Sequence, residues 1–226
     1  MTNYYCLVTG LPDLSLDDGK LNYTVANFKT ELYPQLSKED KKLIDLFYLK
    51  FDNENLLKLL KDKEAVIDAS LGNYSVDELL SVINSFKEEL PPDKKFPSYF
   101  YQFAALYLDS SEEERIGIED QLYGYYYDYA MSSSNAFVSS WYELNLNVNN
   151  ILSALSARKY KMDVARVIVG SNQVAPHIMS FTLPFIKGKA YSSVYTKLHG
   201  KPTGIDNIII IERYVKFVFF DFSAVY

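Results

Sequence analysis

At 226 residues with 48% hydrophobic side chains, the chain is long enough for one large domain or two small ones and too apolar to be disordered throughout. Its net charge of −6 is unevenly placed: residues 1–130 carry 24 acids and 13 bases, and the remainder 5 acids and 10 bases. An acidic majority argues against nucleic acid as the main partner, because phosphate binding needs concentrated Lys and Arg. The lone Cys6 excludes an intrachain disulfide and suits a reducing compartment.

In chain order, Asn3 to Val8 is a short apolar run of extended type that ends in the turn Gly10-Leu11-Pro12-Asp13. It has neither the basic start nor the apolar length of a signal peptide. Leu21, Val25, Phe28 and Leu32 predict a helix from about Lys20 to Tyr33, closed by Pro34. Ser37, followed by Glu39 and Asp40, predicts the start of the next helix. Its apolar side runs through Leu43, Leu46 and Phe47 to Leu56, Leu57 and Leu60, with a break at Asp52-Asn53. Ser75 and Glu78 form a capping box for a helix reaching Leu90, which Pro91-Pro92 terminates. A helix over Ser98–Leu108 follows. A second box, Ser111 with Glu114, predicts a helix to about Met131.

Phe137, Trp141, Leu144, Val148, Ile151 and Leu155 then recur at spacings of 4, 3, 4, 3 and 4. That pattern predicts one long helix from about 135 to 161, roughly 40 Å at 1.5 Å per residue, packed along its seam in a bundle. The expected fold is therefore mainly α: a multi-helix bundle with a short extended N-terminal segment and a strand-prone C-terminal tail. The domain reading is a helical body over 1–176 and an atypical tail over 177–226, where Gly, Pro, Ile, Val and aromatic residues replace the helical pattern. No apolar run approaches the roughly 20 residues that span a bilayer.

Chemistry-bearing patterns are sparse. One Cys with His177 and His199 cannot assemble the usual zinc sets. The stretch beginning at Asp13 places Asp18 and Thr24 where a calcium loop needs Gly and Glu. Asp18-Gly19-Lys20-Leu21 lacks the upstream Gly and the hydroxyl of a phosphate loop, and Val169-Gly170-Ser171-Asn172 lacks the second Gly of a nucleophile elbow. Gly170 reads instead as a helix terminator. The acid clusters Glu88-Glu89 and Glu112–Glu114 sit at helix ends beside solvated residues. Tyr123, Tyr125, Tyr126, Tyr127 and Tyr129 read as core plus flank in preference to a ligand platform. Arg158, Lys159, Lys161 and Arg166 suit either a helix C-terminus or acidic groups on a partner. The expectation is an interaction subunit, with no enzymatic activity and no cofactor.

Two regions carry a resemblance. Residues Tyr4 to Leu14 (YYCLVTGLPDL) and Leu43 to Asn53 (LIDLFYLKFDN) are similar to an uncharacterised bacterial family encoded beside V-type ATPase genes. Trp141 to Leu152 (WYELNLNVNNIL), followed by Ala154 to Tyr160 (ALSARKY), resembles a helix of the rotor-cap polypeptide of V-type and archaeal-type ATPases, known as their C component and as the d component of the eukaryotic enzymes. The resemblance spans about residues 3–175. It implies a non-catalytic rotor-cap or central-stalk subunit, cytoplasmic and peripheral to the inner membrane, that couples the soluble motor to the membrane ring. Its partners would be the rotor ring and central-stalk subunits. The partner-binding residues it implies are Asn149, Asn150, Arg158 and Lys159. Residues 177–226 depart from the pattern, as a truncated or frame-shifted C-terminus would. The alternative is a free-standing helical module that binds a protein or glycan through its Tyr-rich surface.

Overall fold

The computed structural model describes residues 4–11, 23–88 and 90–180. They are mainly helical, with no strand among the described residues. The chain divides into two compact units, residues 1–142 and 143–226.

The first unit begins with α1 (Tyr5–Thr9), where the sequence predicted an extended segment. A strand needs a neighbour for its backbone groups, and no strand among the described residues supplies one. A helical turn satisfies them locally, and the Thr9 hydroxyl donates back to the Tyr5 carbonyl at 2.8 Å. The next predicted helix is present from Thr24, whose hydroxyl accepts from the Asn27 N–H. Residues 20–22 lie outside the described residues. It is irregular: α2 (Val25–Asn27) runs into a π-helical turn, Phe28–Leu32, and then a 3-10 turn, Tyr33–Gln35.

Ser37 caps α3 (Lys38–Lys61), accepting from the Asp40 N–H at 3.1 Å. The helix is continuous through Asp52-Asn53, where the sequence predicted a break. Both polar side chains face inward to partners on other segments, so the helix has no reason to end there. The Ser75/Glu78 capping box opens α4 (Val76–Lys87) as predicted. Then come α5 (Ser98–Asp109) and α6 (Ile118–Met131). The Ser111/Glu114 box does form, with Ser111 N–H on Glu114 Oε2 at 2.9 Å. However, Gly117 (φ 79°) interrupts the chain before α6, so the box closes a separate turn.

α3 packs against α4, α5 and α6, and α5 packs against α4 and α6. The core they enclose is built from Leu49, Leu56 and Leu59 of α3, Leu79, Val82 and Ile83 of α4, Phe100 and Phe103 of α5, and Leu122 and Tyr126 of α6. Full burial of a side chain such as Phe100 contributes about 1.5–3 kcal/mol. Val138 and Tyr142, from the start of α7 (Ala136–Lys159), complete it. The Tyr126 hydroxyl is 3.0 Å from that of Tyr142 and donates to the Leu46 carbonyl at 2.9 Å, so these buried phenols are satisfied.

The second unit is described from residue 143 to 180. It holds the remainder of α7, a 3-10 turn at Val164–Arg166 and α8 (Ala175–Ser180). α7 ends with Lys161 in the left-handed region (φ 57°), and Met162 N–H reaches back to the Ala157 carbonyl at 2.8 Å. Ala154, Ile168, Ala175 and Ile178 form a small core, flanked by Ile151, Val164 and Val174. The tail predicted from residue 177 begins inside α8, so its first residues are helical. Residues 181–226, where the strand-prone and frame-shift readings fall, lie outside the described residues.

Candidate functional site

The most unusual chemistry in the first unit is a clasp around residues 70–74. Lys29, on the π-helical turn, donates its ammonium to the carbonyls of Ser70, Leu71 and Gly72 at 3.1, 2.9 and 2.6 Å. The same ammonium lies 4.5 Å from the centre of the Tyr48 ring. Asp52, 0% exposed in the middle of α3, accepts the Asn73 N–H at 2.9 Å and the Tyr74 N–H at 3.1 Å. One base thus takes the loop's carbonyls and one acid its amides. Gly72 is required for this approach, because a Cβ there would overlap the Asp52 carboxylate.

A second acid adjoins the first. Asp45, about two helical turns before Asp52 on α3, accepts the Tyr33 hydroxyl at 2.6 Å, and Asn73 Nδ2 donates to the Asp45 carbonyl at 2.9 Å. Burial pushes Asp52 up to about 6, against the pull of the two backbone amides and Lys29. Burial also raises Asp45, partly offset by the Tyr33 hydroxyl, and lowers Lys29 against the attraction of Asp52 and Asp45. Deeper in, Asn53 Oδ1 accepts the Tyr99 hydroxyl at 2.6 Å. Asn55 Nδ2 donates to the Asp68 carbonyl at 2.9 Å.

The first unit also carries a groove of about 550 Å³. Glu39, Lys42, Leu43 and Leu46 of α3 line one side, and Tyr129 with Ser132 to Asn135 the other. Of the tyrosines singled out in the sequence, Tyr126 is buried, Tyr125 and Tyr127 are half-buried against the core, and Tyr123 and Tyr129 are each 36% exposed.

In the second unit the implied partner residues separate. Asn150 is buried and holds Val169 by both backbone groups, donating to its carbonyl at 2.8 Å and accepting its N–H at 3.1 Å. Arg158 is half-buried and donates to the Ile178 carbonyl at 3.0 Å. Asn149 is half-buried, and Lys159 is exposed with its ammonium 5.3 Å from the Tyr160 ring centre. Asn172 bridges Asn147, at 2.8 Å, and the Ala175 N–H, at 3.0 Å, which caps α8. Gly170 is left-handed (φ 80°) as a terminator would be, but it follows no helix; it lets the chain pass Leu146.

Sequence reasoning passed over Lys29, Asp45, Asp52 and Asn73. The available signal was Asp52-Asn53 with Asn55 inside an otherwise apolar stretch, together with Gly72-Asn73. Among the described residues, no three His, Cys, Asp or Glu side chains converge as a metal site requires. None of the described helices is long and apolar enough to cross a membrane.

Fold and site together define a mainly helical protein whose interior polar side chains fasten backbone segments to one another. The chain belongs to the family described as Protein of unknown function (DUF2764), whose model matches residues 1–182. No curated protein and no solved structure matches it.

Proposed function

We propose that the protein is a non-catalytic subunit of a V-type ATPase, acting as a rotor-cap or central-stalk component between the soluble motor and the membrane ring. The observation that carries this reading is the outward apolar surface of α7. Phe137 is 72% exposed and stacks on half-buried Trp141, with ring centres 6.3 Å apart and planes at 21°. Leu144, two turns beyond Phe137, is 37% exposed. The same helix gives Val138 and Tyr142 to the core of the first unit, with Trp141 packed against that core, so the exposed Phe137 ring is surplus to this packing. A helix apolar on a second side suits docking against another subunit's helices. The exposed Lys159 at its basic end is available to acidic groups on that subunit.

The test is co-purification of the tagged chain with the V-type ATPase of its own cell. Retention of rotor-ring or central-stalk subunits, lost on Phe137→Asp with Leu144→Asp, is the expected result. Isolation of an intact, fully active ATPase without this chain would overturn the proposal.

A second reading is a free-standing binding module. It is favoured by one observation, the groove that sets the Tyr129 ring beside Leu43, Leu46 and Lys42. Ligand binding abolished by Tyr129→Ala, with ATPase subunits absent from the purified protein, would select it.

A further inference from the structure

The described part of the N-terminal region is attached in an unusual way. No residue of α2, of the π-helical turn or of the 3-10 turn is buried, so residues 25–35 add nothing to the fully enclosed core. Val25, Phe28 and Leu32 are half-buried, and the attachments to distant segments among the described residues are polar. Lys29 reaches the carbonyls of residues 70–72, the Tyr33 hydroxyl reaches Asp45, and Lys41 returns from α3 to the Pro34 carbonyl at 3.4 Å and over the Tyr33 ring at 5.3 Å. The Lys29 ammonium also sits on the Tyr48 ring. By contrast, α4 and α5 place Leu79, Val82, Phe100 and Phe103 fully inside.

We propose that residues 23–35 form a strap that opens from α3 and the 70–74 loop as a cooperative unit while the helices α3 to α6 remain folded. Local openings take the elements with the fewest buried apolar contacts first, and this segment has none that is fully buried. Lys29, the residue that anchors the strap to the loop, lies within the π-helical turn. Opening frees the Tyr48 ring, the Asp45 carboxylate and the three loop carbonyls together, because Lys29 and Tyr33 hold all of them. Asp52 keeps the loop's amides on the core side. The strap therefore masks one side of α3 and uncovers it without unfolding the unit. This inference does not depend on the ATPase reading.

Native-state hydrogen exchange of the full chain, read by mass spectrometry at rising sub-denaturing urea, tests it. Peptides covering 23–36 are expected to exchange about tenfold or more faster than those covering 49–59, 79–83 and 99–107. Lys29→Met is expected to speed exchange in 23–36 and in 70–72 together, leaving the core peptides unchanged. If residues 23–36 exchange only through the same global opening as α4 and α5, the strap does not exist. The wild-type urea series decides this even where Lys29→Met fails to fold. Acceleration in 23–36 without any change at 70–72 would equally overturn the shared anchor.

Discussion

Asp52 offers the sharpest test of the clasp. Its carboxyl is fully enclosed and is pushed from 3.8 to about 6 by burial. A carboxyl with a raised native value holds its proton in the native state at pH values where the unfolded chain has already lost it. Its contribution to stability is therefore complete below 3.8 and is lost as the pH rises through about 6. The full span corresponds to about 3 kcal/mol, and lowering the pH from 7.5 to 4.5 recovers about 2 kcal/mol of it. Asp52→Asn keeps the shape and removes the titration. Asp40, Glu78 and Glu119, which are lowered by hydrogen bonds and lose stability on acidification, titrate alike in both proteins and cancel in the difference. Urea unfolding at several pH values, followed by helical ellipticity, gives the comparison. Wild type is expected to gain about 2 kcal/mol on the variant between pH 7.5 and 4.5. A flat difference, or one of opposite sign, would mean that Lys29 and the Asn73 and Tyr74 amides keep Asp52 charged, and the burial argument would be wrong. Asp45 faces the same Lys29 and is raised as well, so Asp45→Asn serves as the control for coupling between the two acids.

Five further substitutions separate the elements of the fold. Gly72→Ala drives a Cβ into the Asp52 carboxylate and is expected to cost about 2 kcal/mol or more, whereas Gly117→Ala, with nothing within 4 Å, costs its backbone strain alone; both are read from urea midpoints. Asn150→Ala leaves the Val169 N–H and carbonyl without their partner and should lower stability by about 2–4 kcal/mol in the same assay. Phe100→Ala empties a fully buried site and should cost about 3–5 kcal/mol, while Phe137→Ala should change stability by less than about 0.5 kcal/mol.

Local signals in the sequence translated well where the chemistry is local. Ser37, and Ser75 with Glu78, open helices because a hydroxyl or a carboxylate acts on its own few residues, whereas α4 ends at Lys87, three residues short of the predicted Leu90 and ahead of the Pro91-Pro92 pair. Ser111 with Glu114 shows the limit. The same box formed, yet Gly117 ended its turn and the helix restarted at Ile118. Asp52-Asn53 failed for another reason. Polar residues in the middle of a helix indicate a break only when nothing inside answers them. Here the loop amides and the Tyr99 hydroxyl do, and both come from segments distant in sequence. The clasp was therefore invisible to periodicity, which records apolar spacing and is blind to a partner that arrives through the fold.

The long helix is the instructive case. Its existence and length were legible, but the side it turns inward was not. The apolar seam Phe137, Trp141, Leu144, Val148, Ile151 and Leu155 supplies no fully buried residue, whereas Val138, Tyr142, Leu146, Asn150, Ala154 and Ala157 are buried. Two alanines and an asparagine score poorly on any hydrophobic pattern. Yet small side chains admit close packing, and Asn150 is tolerated inside because both of its amide functions are satisfied by Val169. The consequence is a helix with apolar residues on two sides, one used by the chain itself and the other carrying Phe137 and Leu144 in solvent. That division makes the proposed docking separable from folding. Phe137→Asp should leave the urea midpoint within about 0.5 kcal/mol of wild type while abolishing retention of the ATPase subunits. If Phe137→Asp instead unfolds the protein, the outer side of α7 serves the fold, and the argument for a partner there fails.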